Sequence, residues 1–325
     1  MASVADGTQK FAKIEVKGFC GLGTDKCRQA PMKPSAAVRA ISKVPVGRRL
    51  LLRAWNRLLM HLAPKQVART YFGATLECDV RDMIQATIIH FGVWEPRVSI
   101  KLASMIKPGD VVIDVGANIG YFSMLFADRA GAAGGVVAIE ALPKLAAVVA
   151  ENAARNGLRN IRVVNVAASD RPEELTLYQA PSTNIGMTTT RSDRGFAATA
   201  TVQALPLTEI LTADELQRAT LIKIDIEGGE VPVLRHFLAN LHRFPKTPAV
   251  AVEASVSDNP EWGDLFDRFL ERGYRAFDLH NDYDWVRMLD FEMCEPTALD
   301  RLPDKQTDLL FIKSREPRSA RAAAR

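Results

Sequence analysis

Two short runs carry most of the chemistry available to this sequence. The first is Asp114-Val-Gly-Ala-Asn-Ile-Gly-Tyr121, which closes an apolar run beginning at Val111 and opens the helical pattern Tyr121–Ala130. A strand, a small-residue loop and a helix N-terminus in that order let backbone approach a nucleotide-like ligand closely. Gly116 and Gly120 supply the turn, and Asn118 stands where a second glycine would. Asn is the non-glycine residue that best tolerates a left-handed backbone, so the turn survives. About 20 residues on, Glu140 ends a second apolar run, where an acid can accept both hydrogen bonds of a ribose diol. The second chemical run is Lys223-Ile-Asp-Ile-Glu-Gly-Gly-Glu230.

Dehydrogenases and methyltransferases both place an acid at the position of Glu140, so the loop must separate them. A dinucleotide brings an anionic pyrophosphate to the helix N-terminus, and an acid directly before the loop would repel it. Asp114 stands there and suits a cationic amino group, such as that of S-adenosylmethionine. An NAD-dependent oxidoreductase would also want a proton-relay motif of the Tyr-x-x-x-Lys kind, which is missing. A nucleotide-binding scaffold without catalysis is the other alternative.

Open α/β sheets bind ligands beyond the carboxyl ends of their strands. Here a carboxylate follows each apolar run: Asp114, Glu140, Asp170, Asp225 and Glu253. Asp114, Gly116, Asn118, Gly120, Glu140 and Asp170 are the expected cofactor residues. In a strand, Lys223, Asp225 and Glu227 share one face while Ile222, Ile224 and Ile226 share the other. Lys223 and Asp225 are then neighbours, either as a catalytic pair or as an ion pair that supports the loop. An alcohol nucleophile needs a general base, and a carboxylate serves only when burial or a like charge raises its pKa. Asp225 ranks first for that task, then Glu253, with His280 as the imidazole alternative. Asp225 and Glu253 could instead share a Mg²⁺ ion that acidifies the hydroxyl. The metal-free reading is preferred.

These residues need a scaffold, and the apolar runs supply it. Val111–Val115, Val136–Ile139, Ile161–Val166, Leu221–Ile226 and Ala249–Ala254 read as strands. Helical patterns at Tyr121–Ala130, Leu142–Asn156 and Gly229–Leu241 separate several of them. Such alternation predicts an α/β fold, Rossmann-like, with a mostly parallel twisted sheet covered by helices on both faces. Arg275–Leu279 and Asp308–Lys313 are expected to form an antiparallel edge hairpin. Residues 173–210 read as an insertion at the rim of the ligand-binding edge. Ahead of the sheet, a β segment is expected at Tyr71–Val80 and helices at Asp82–Phe91 and Arg97–Ile106.

The chain has 325 residues and a formal net charge of +4. That predicts residues 1–45 as a flexible extension, 46–91 as a helical region with a short β segment, 92–314 as the catalytic domain, and 315–325 as a basic disordered tail. Residues 48–62 form an amphipathic pattern, with Leu51, Trp55, Leu58 and Leu62 on one stripe and Arg49, Arg53 and Arg57 on another. The stripe packs on the domain or a partner subunit of a homo-oligomer in the favoured reading, and touches an anionic membrane in the other. Cys20, Cys27, Cys78 and Cys294 lack metal-ligand spacing and read as reduced thiols of a cytoplasmic protein. Neither a secretory signal nor a membrane span is apparent, and no nucleic-acid partner is expected.

Taken together, the run from Asp114 to Tyr121, Glu140 and the run from Ile222 to Glu230 resemble the FkbM family of S-adenosylmethionine-dependent methyltransferases. Gly92-Val-Trp-Glu-Pro96 is similar to members as well. The likeness covers about residues 70–255 and implies a class I methyltransferase fold, S-adenosylmethionine as cofactor, and O-methylation of a hydroxyl on a sugar, glycan or secondary metabolite. Ala141 departs from it, since a proline often follows the acid and here comes at Pro143.

Overall fold

A computed structural model describes residues 32, 34–181, 183, 184, 186, 188–256 and 259–314. The expectations for residues 1–31, including Cys20 and Cys27, and for the tail 315–325 lie outside them. Helix α1 (Ala36–Ser42) is capped by the Ser35 hydroxyl, and α2 (Arg48–Leu62) follows. Strands β1 (Lys65–Arg69) and β2 (Thr75–Asp79) form a two-stranded antiparallel hairpin. Tyr71 and Phe72, expected in a strand, make its turn. Next come α3 (Met83–Phe91), with Asp82 accepting from the Gln85 amide, and α4 (Pro96–Met105).

The main sheet then begins with β3 (Val111–Val115), α5 (Tyr121–Ala130), β4 (Gly135–Ile139), α6 (Pro143–Arg155) and β5 (Ile161–Val164). A three-stranded sheet interrupts it, made of β6 (Ala167–Ala168), β7 (Glu173–Gln179) and β8 (Ala197–Leu205). Helices α7 (Leu207–Ile210) and α8 (Ala213–Arg218) lead back into β9 (Ala219–Ile224), α9 (Glu230–Ala239), β10 (Ala249–Ala254) and α10 (Trp262–Glu271). The chain closes with β11 (Tyr274–Asp278), α11 (Trp285–Leu289), β12 (Thr297–Leu299) and β13 (Thr307–Lys313).

The main sheet has eight strands in the order β12-β11-β13-β10-β9-β3-β4-β5. The five from β10 to β5 are parallel; β13 runs antiparallel between β10 and β11. The expected antiparallel pair is therefore present, but β12 is the edge. Leu309, Leu310 and Phe311 are all fully buried, which requires β13 to lie inside the sheet. Alternation along each strand feeds two apolar layers. Val112, Val136 and Leu221 meet Phe122, Phe126 and Val149 on one face. Ile113, Val137 and Ile222 meet Phe237 and Phe269 on the other.

Two sequence expectations change in the N-terminal region. The first 45 residues are not all extension, because Val38 of α1 is fully buried and the Ser35 amide donates to the His90 carbonyl. In α2 the inward residue is Leu52, while Leu51, Leu58 and Leu62 are 41%, 46% and 73% exposed. Of the stripe expected to pack on the domain, Trp55 is half-buried and its three leucines face solvent.

Candidate active site

A cavity of about 460 Å³ opens at the carboxyl ends of β3, β4, β9 and β10. The loop after β3 forms one wall. Gly116, Asn118 and Gly120 all hold left-handed backbone, at φ 83°, 53° and 86°. A Cβ on Gly116 would lie 1.8 Å from the Asp225 carbonyl oxygen, so only glycine lets the two strand ends meet. Four of the loop's amides are spent within the protein. Those of Gly116 and Ala117 donate to the Ile139 carbonyl, that of Gly120 to the Ala117 carbonyl, and that of Asn118 to Glu140 Oε2 at 2.8 Å. Glu140 Oε1 accepts from the Leu142 amide at 2.9 Å. Burial pushes the Glu140 carboxyl up to about 7 against these two donors.

Asp225 follows the last residue of β9 and reaches back to Lys223, with Nζ 2.9 Å from Oδ2. Lys223 is buried, and its ammonium also sits 4.6 Å from the centre of the Phe122 ring. Burial alone would lower the pKa of that ammonium; Asp225, Asp114 and Glu95 around it raise it instead. Glu227 holds left-handed backbone at φ 56°. Burial, with Asp225 and Glu253 beside it, pushes its carboxyl up to about 8. The nearest carboxylate oxygens of Asp225, Glu227 and Glu253 lie within 4.8 Å of one another.

Glu253 brings in residues that the sequence reading missed. Its Oε1 accepts from Gln306 Nε2 at 2.5 Å and from the Tyr283 hydroxyl at 3.3 Å. The same hydroxyl lies 3.0 Å from Glu95 Oε1. A phenol has one proton, and an ionised carboxylate only accepts. Both contacts are hydrogen bonds only if Glu95 and Glu253 share a proton between them. Burial, and then the charge of Asp225, agree with this, since Glu95 and Glu253 are each raised to about 7. Burial and the Glu95 charge drive the Tyr283 phenol far above its ordinary value, so it stays a donor. Asp308, paired with Glu253 across β10 and β13, is likewise pushed well up, by burial and then by Glu95 and Glu253. The Trp94 and Tyr283 rings, 5.3 Å apart and inclined at 31°, complete this wall. Glu95 carries a sequence-level signal only in hindsight: it precedes the proline of Gly92-Val-Trp-Glu-Pro96 and holds φ 44°, a strained backbone for a non-glycine residue.

Four expected site residues are placed elsewhere. Gly120 turns away from the cavity, where a Cβ on it would meet the Met124 and Val149 side chains at 3.1 and 3.2 Å. Asp114 does not line the cavity: strand alternation turns it into the sheet, 1% exposed, where Oδ2 accepts from the Ser123 hydroxyl at 2.5 Å. It faces Lys223 across β3 and β9, and its Oδ1 has no hydrogen-bond partner. Asp170 lies off the cavity because β5 stops at Val164 and the chain has already crossed into the small sheet. There Asp170 pairs loosely with Arg171, at 3.5 Å. His280 is also outside, turned by a left-handed residue at φ 54° toward Thr297 and Asp278, at 2.6 and 3.3 Å. Gly116, Asn118, Glu140, Lys223, Asp225, Glu227 and Glu253 do line one cavity. The insertion expected at the rim adds Leu177, Asn184, Thr188 and Arg194.

A strand–glycine loop–helix unit, an acid ending the next strand and an antiparallel strand beside β10 define a Rossmann-like, class I methyltransferase fold. Residues 114–276 match the methyltransferase FkbM domain, and the chain belongs to that family. It is 34% identical over 104 residues to ribosomal RNA large subunit methyltransferase E of Halorhodospira halophila, covering 27% of this chain and 49% of that protein. It is 42% identical over 64 residues to a protein-L-isoaspartate O-methyltransferase of Aeropyrum pernix, covering 20% and 24%. The chain thus spans about half or less of the curated relatives it matches. Among solved structures, an FkbM methyltransferase of Methylobacillus flagellatus aligns with a TM-score of 0.43 and 16% identity, over 85% of this chain and 58% of the other.

The cofactor of the family is S-adenosylmethionine, and the cavity's residues fit it. Gly116 leaves room that a Cβ would fill, Glu140 retains lone pairs for a ribose diol, and Ile139, Ala141, Leu142 and Val166 supply apolar surface for a base. A pyrophosphate fits poorly, because four loop amides that would bind it are already engaged.

Proposed function

We propose that this chain transfers the methyl group of S-adenosylmethionine to a hydroxyl of a sugar, glycan or secondary metabolite. The observation that carries the reading is Glu253, raised to about 7 and held by Tyr283 and Gln306 in the cavity that Glu140 and the glycine loop also line. The bound sulfonium supplies an electrophilic methyl carbon, and alignment of the acceptor oxygen with it is most of the catalysis. Glu253 is the general base. Its Oε1 is occupied by Tyr283 and Gln306, which leaves Oε2 to hold the acceptor's hydroxyl hydrogen bond and take up its proton. Asp225 ranked first from sequence, but it is ion-paired with the buried Lys223 ammonium, whereas the partners of Glu253 are a neutral phenol and amide. The role of Asp225 is to hold negative charge beside Glu253 and so keep that carboxylate basic. Trp94 and Tyr283 offer an aromatic wall suited to the apolar edge of a sugar ring.

The surplus of carboxylates around this end, Glu95, Asp225, Glu227 and Glu253, disfavours a phosphate-bearing acceptor such as RNA, although some relatives are named for RNA. Dinucleotide redox chemistry is disfavoured by the spent loop amides. In a thermal-shift comparison, S-adenosylhomocysteine raises the melting temperature and NAD⁺ does not, since a ligand binding only the native state stabilises it. Incubation with S-adenosylmethionine and a panel of sugars then yields products heavier by one methylene. Stabilisation by NAD⁺ alone would refute the cofactor assignment, and product formation on RNA alone the acceptor assignment.

A further inference from the structure

The outer face of α2 is left unexplained by the active site. Leu50 is 70% exposed, and Leu51, Leu58 and Leu62 are exposed beside it. On a helix, Leu51, Ala54, Leu58 and Leu62 form one line, and Leu50, Arg53, Arg57 and His61 the line next to it. All eight are exposed. The helix itself is firmly held. Leu52 is buried, Asn56 Oδ1 meets His90 Nε2 at 2.8 Å, and Arg48 and Arg49 pair with Asp290 and Asp284 at 2.8 and 2.6 Å. Those contacts fix which face points outward. Arg53 and Arg57 have no partner among the described residues.

We propose that this face docks on an anionic lipid surface, with the leucine line seated among the acyl chains and Arg53 and Arg57 at the headgroups. Charge decides between occupants. The helix contains Arg48, Arg49, Arg53 and Arg57 and not one Asp or Glu. A second copy packed on this face would bring unpaired arginines together with no acid on the helix to neutralise them. Anionic headgroups supply that neutralisation, and the arginine stems can run along the apolar surface while their guanidinium groups stay at the interface. The helix is too short and too charged to cross a bilayer, and none of the described helices is long and apolar enough to do so.

Sedimentation of the full chain with phosphatidylcholine vesicles, with and without phosphatidylserine, tests this. The chain sediments with the serine-containing vesicles and is released by salt. Arg53→Gln with Arg57→Gln weakens that partitioning roughly 10- to 30-fold, at the usual worth of a basic residue near such a surface. Leu58→Ser with Leu62→Ser abolishes it, while S-adenosylhomocysteine still raises the melting temperature of both variants. Three results overturn the proposal: a parent that stays in the supernatant with both vesicles, variants that sediment as the parent does, or a dimer in velocity sedimentation that the leucine variant splits. The arginine variant keeps the test decisive should the leucine variant fold poorly.

Discussion

Glu140 and Gly116 test the cofactor wall from opposite directions. Removing the Glu140 carboxylate deletes an acceptor of charged hydrogen bonds, worth about 1.5–3 kcal/mol. Glu140→Ala should therefore bind S-adenosylhomocysteine about 10- to 150-fold more weakly in calorimetry; parent-like affinity would dismiss the ribose assignment. Gly116→Val forces a Cβ toward the Asp225 carbonyl in a left-handed residue, and should lower both affinity and melting temperature. At the acceptor end the sign is set by raised carboxyls. Glu253 and Glu227 ionise near 7 and 8 rather than near 4.5. Turnover should rise with pH through that window, because the base works only when ionised. The same shifts act against the fold, whose stability falls as pH rises from about 4.5 toward 8 while the unfolded chain loses these protons first. Asp225→Asn removes a charge that raises both groups and frees the Lys223 ammonium, so the acid limb should move to lower pH. Glu253→Gln should cost about 10²–10⁴-fold in kcat, the usual worth of a positioned base. A Gln variant as active as the parent would return the role to Asp225.

Helix α3 shows how a single buried group ties elements together. His90 is fully buried, with Nε2 against Asn56 of α2 and its ring edge-on to Trp285 of α11 at 4.9 Å. Burial depresses its pKa to about 4, so it stays neutral in the fold down to that pH. The unfolded chain takes up the proton from about 6.5 downward, so the contribution of His90 to stability should fall as pH drops from 6.5 to 4, by on the order of 3 kcal/mol, opposing the raised carboxyls over that range. His90→Gln should raise the melting temperature at pH 4 relative to its value at pH 6.5, compared with the parent, even if it lowers the curve as a whole; an unchanged slope would assign the loss to other groups. At this scale much of the fold was legible. The strands at Val111–Val115 and Ala249–Ala254 and helix Tyr121–Ala130 have the expected bounds, because full burial leaves uninterrupted apolar runs. The outward face of α2 was misjudged because leucines on both sides of a helix give no unique inward stripe. Lys223, Asp225 and Glu253 were legible as polar groups ending apolar runs. Glu95, Tyr283 and Gln306 were not, because they come from connections without periodicity and meet only through packing among α4, β10 and β13.

The whole molecule places its cavity between two sheets rather than at the edge of one. The main sheet gives the glycine loop, Glu140 and the acidic wall, while the segment joining β7 to β8 closes the opposite side with Asn184, Thr188 and Arg194. Thr189 of that segment donates its hydroxyl to the Glu227 carbonyl at 2.6 Å, and its backbone bridges to Tyr178 of β7. The small sheet is thus coupled to the loop that carries Asp225 and Glu227, yet Ala197, Ala198 and Thr199 of β8 are exposed, so little core holds its far end. A segment with few buried apolar contacts opens more readily than the main sheet. Cofactor in the cavity would touch that segment and restrain its opening. Hydrogen exchange should report this: at 100 times the dissociation constant of S-adenosylhomocysteine, amides of β7 and β8 that exchange only from a ligand-free opening should slow about 100-fold. Amides of β11 and β12, remote from the cavity in the sheet order, should change far less unless they exchange by global unfolding. Equal slowing in both places would mean that the ligand stabilises the fold uniformly and that the small sheet is no gate. Unchanged exchange in β7 and β8 would remove the insertion from the cofactor site altogether, leaving the main sheet to bind alone.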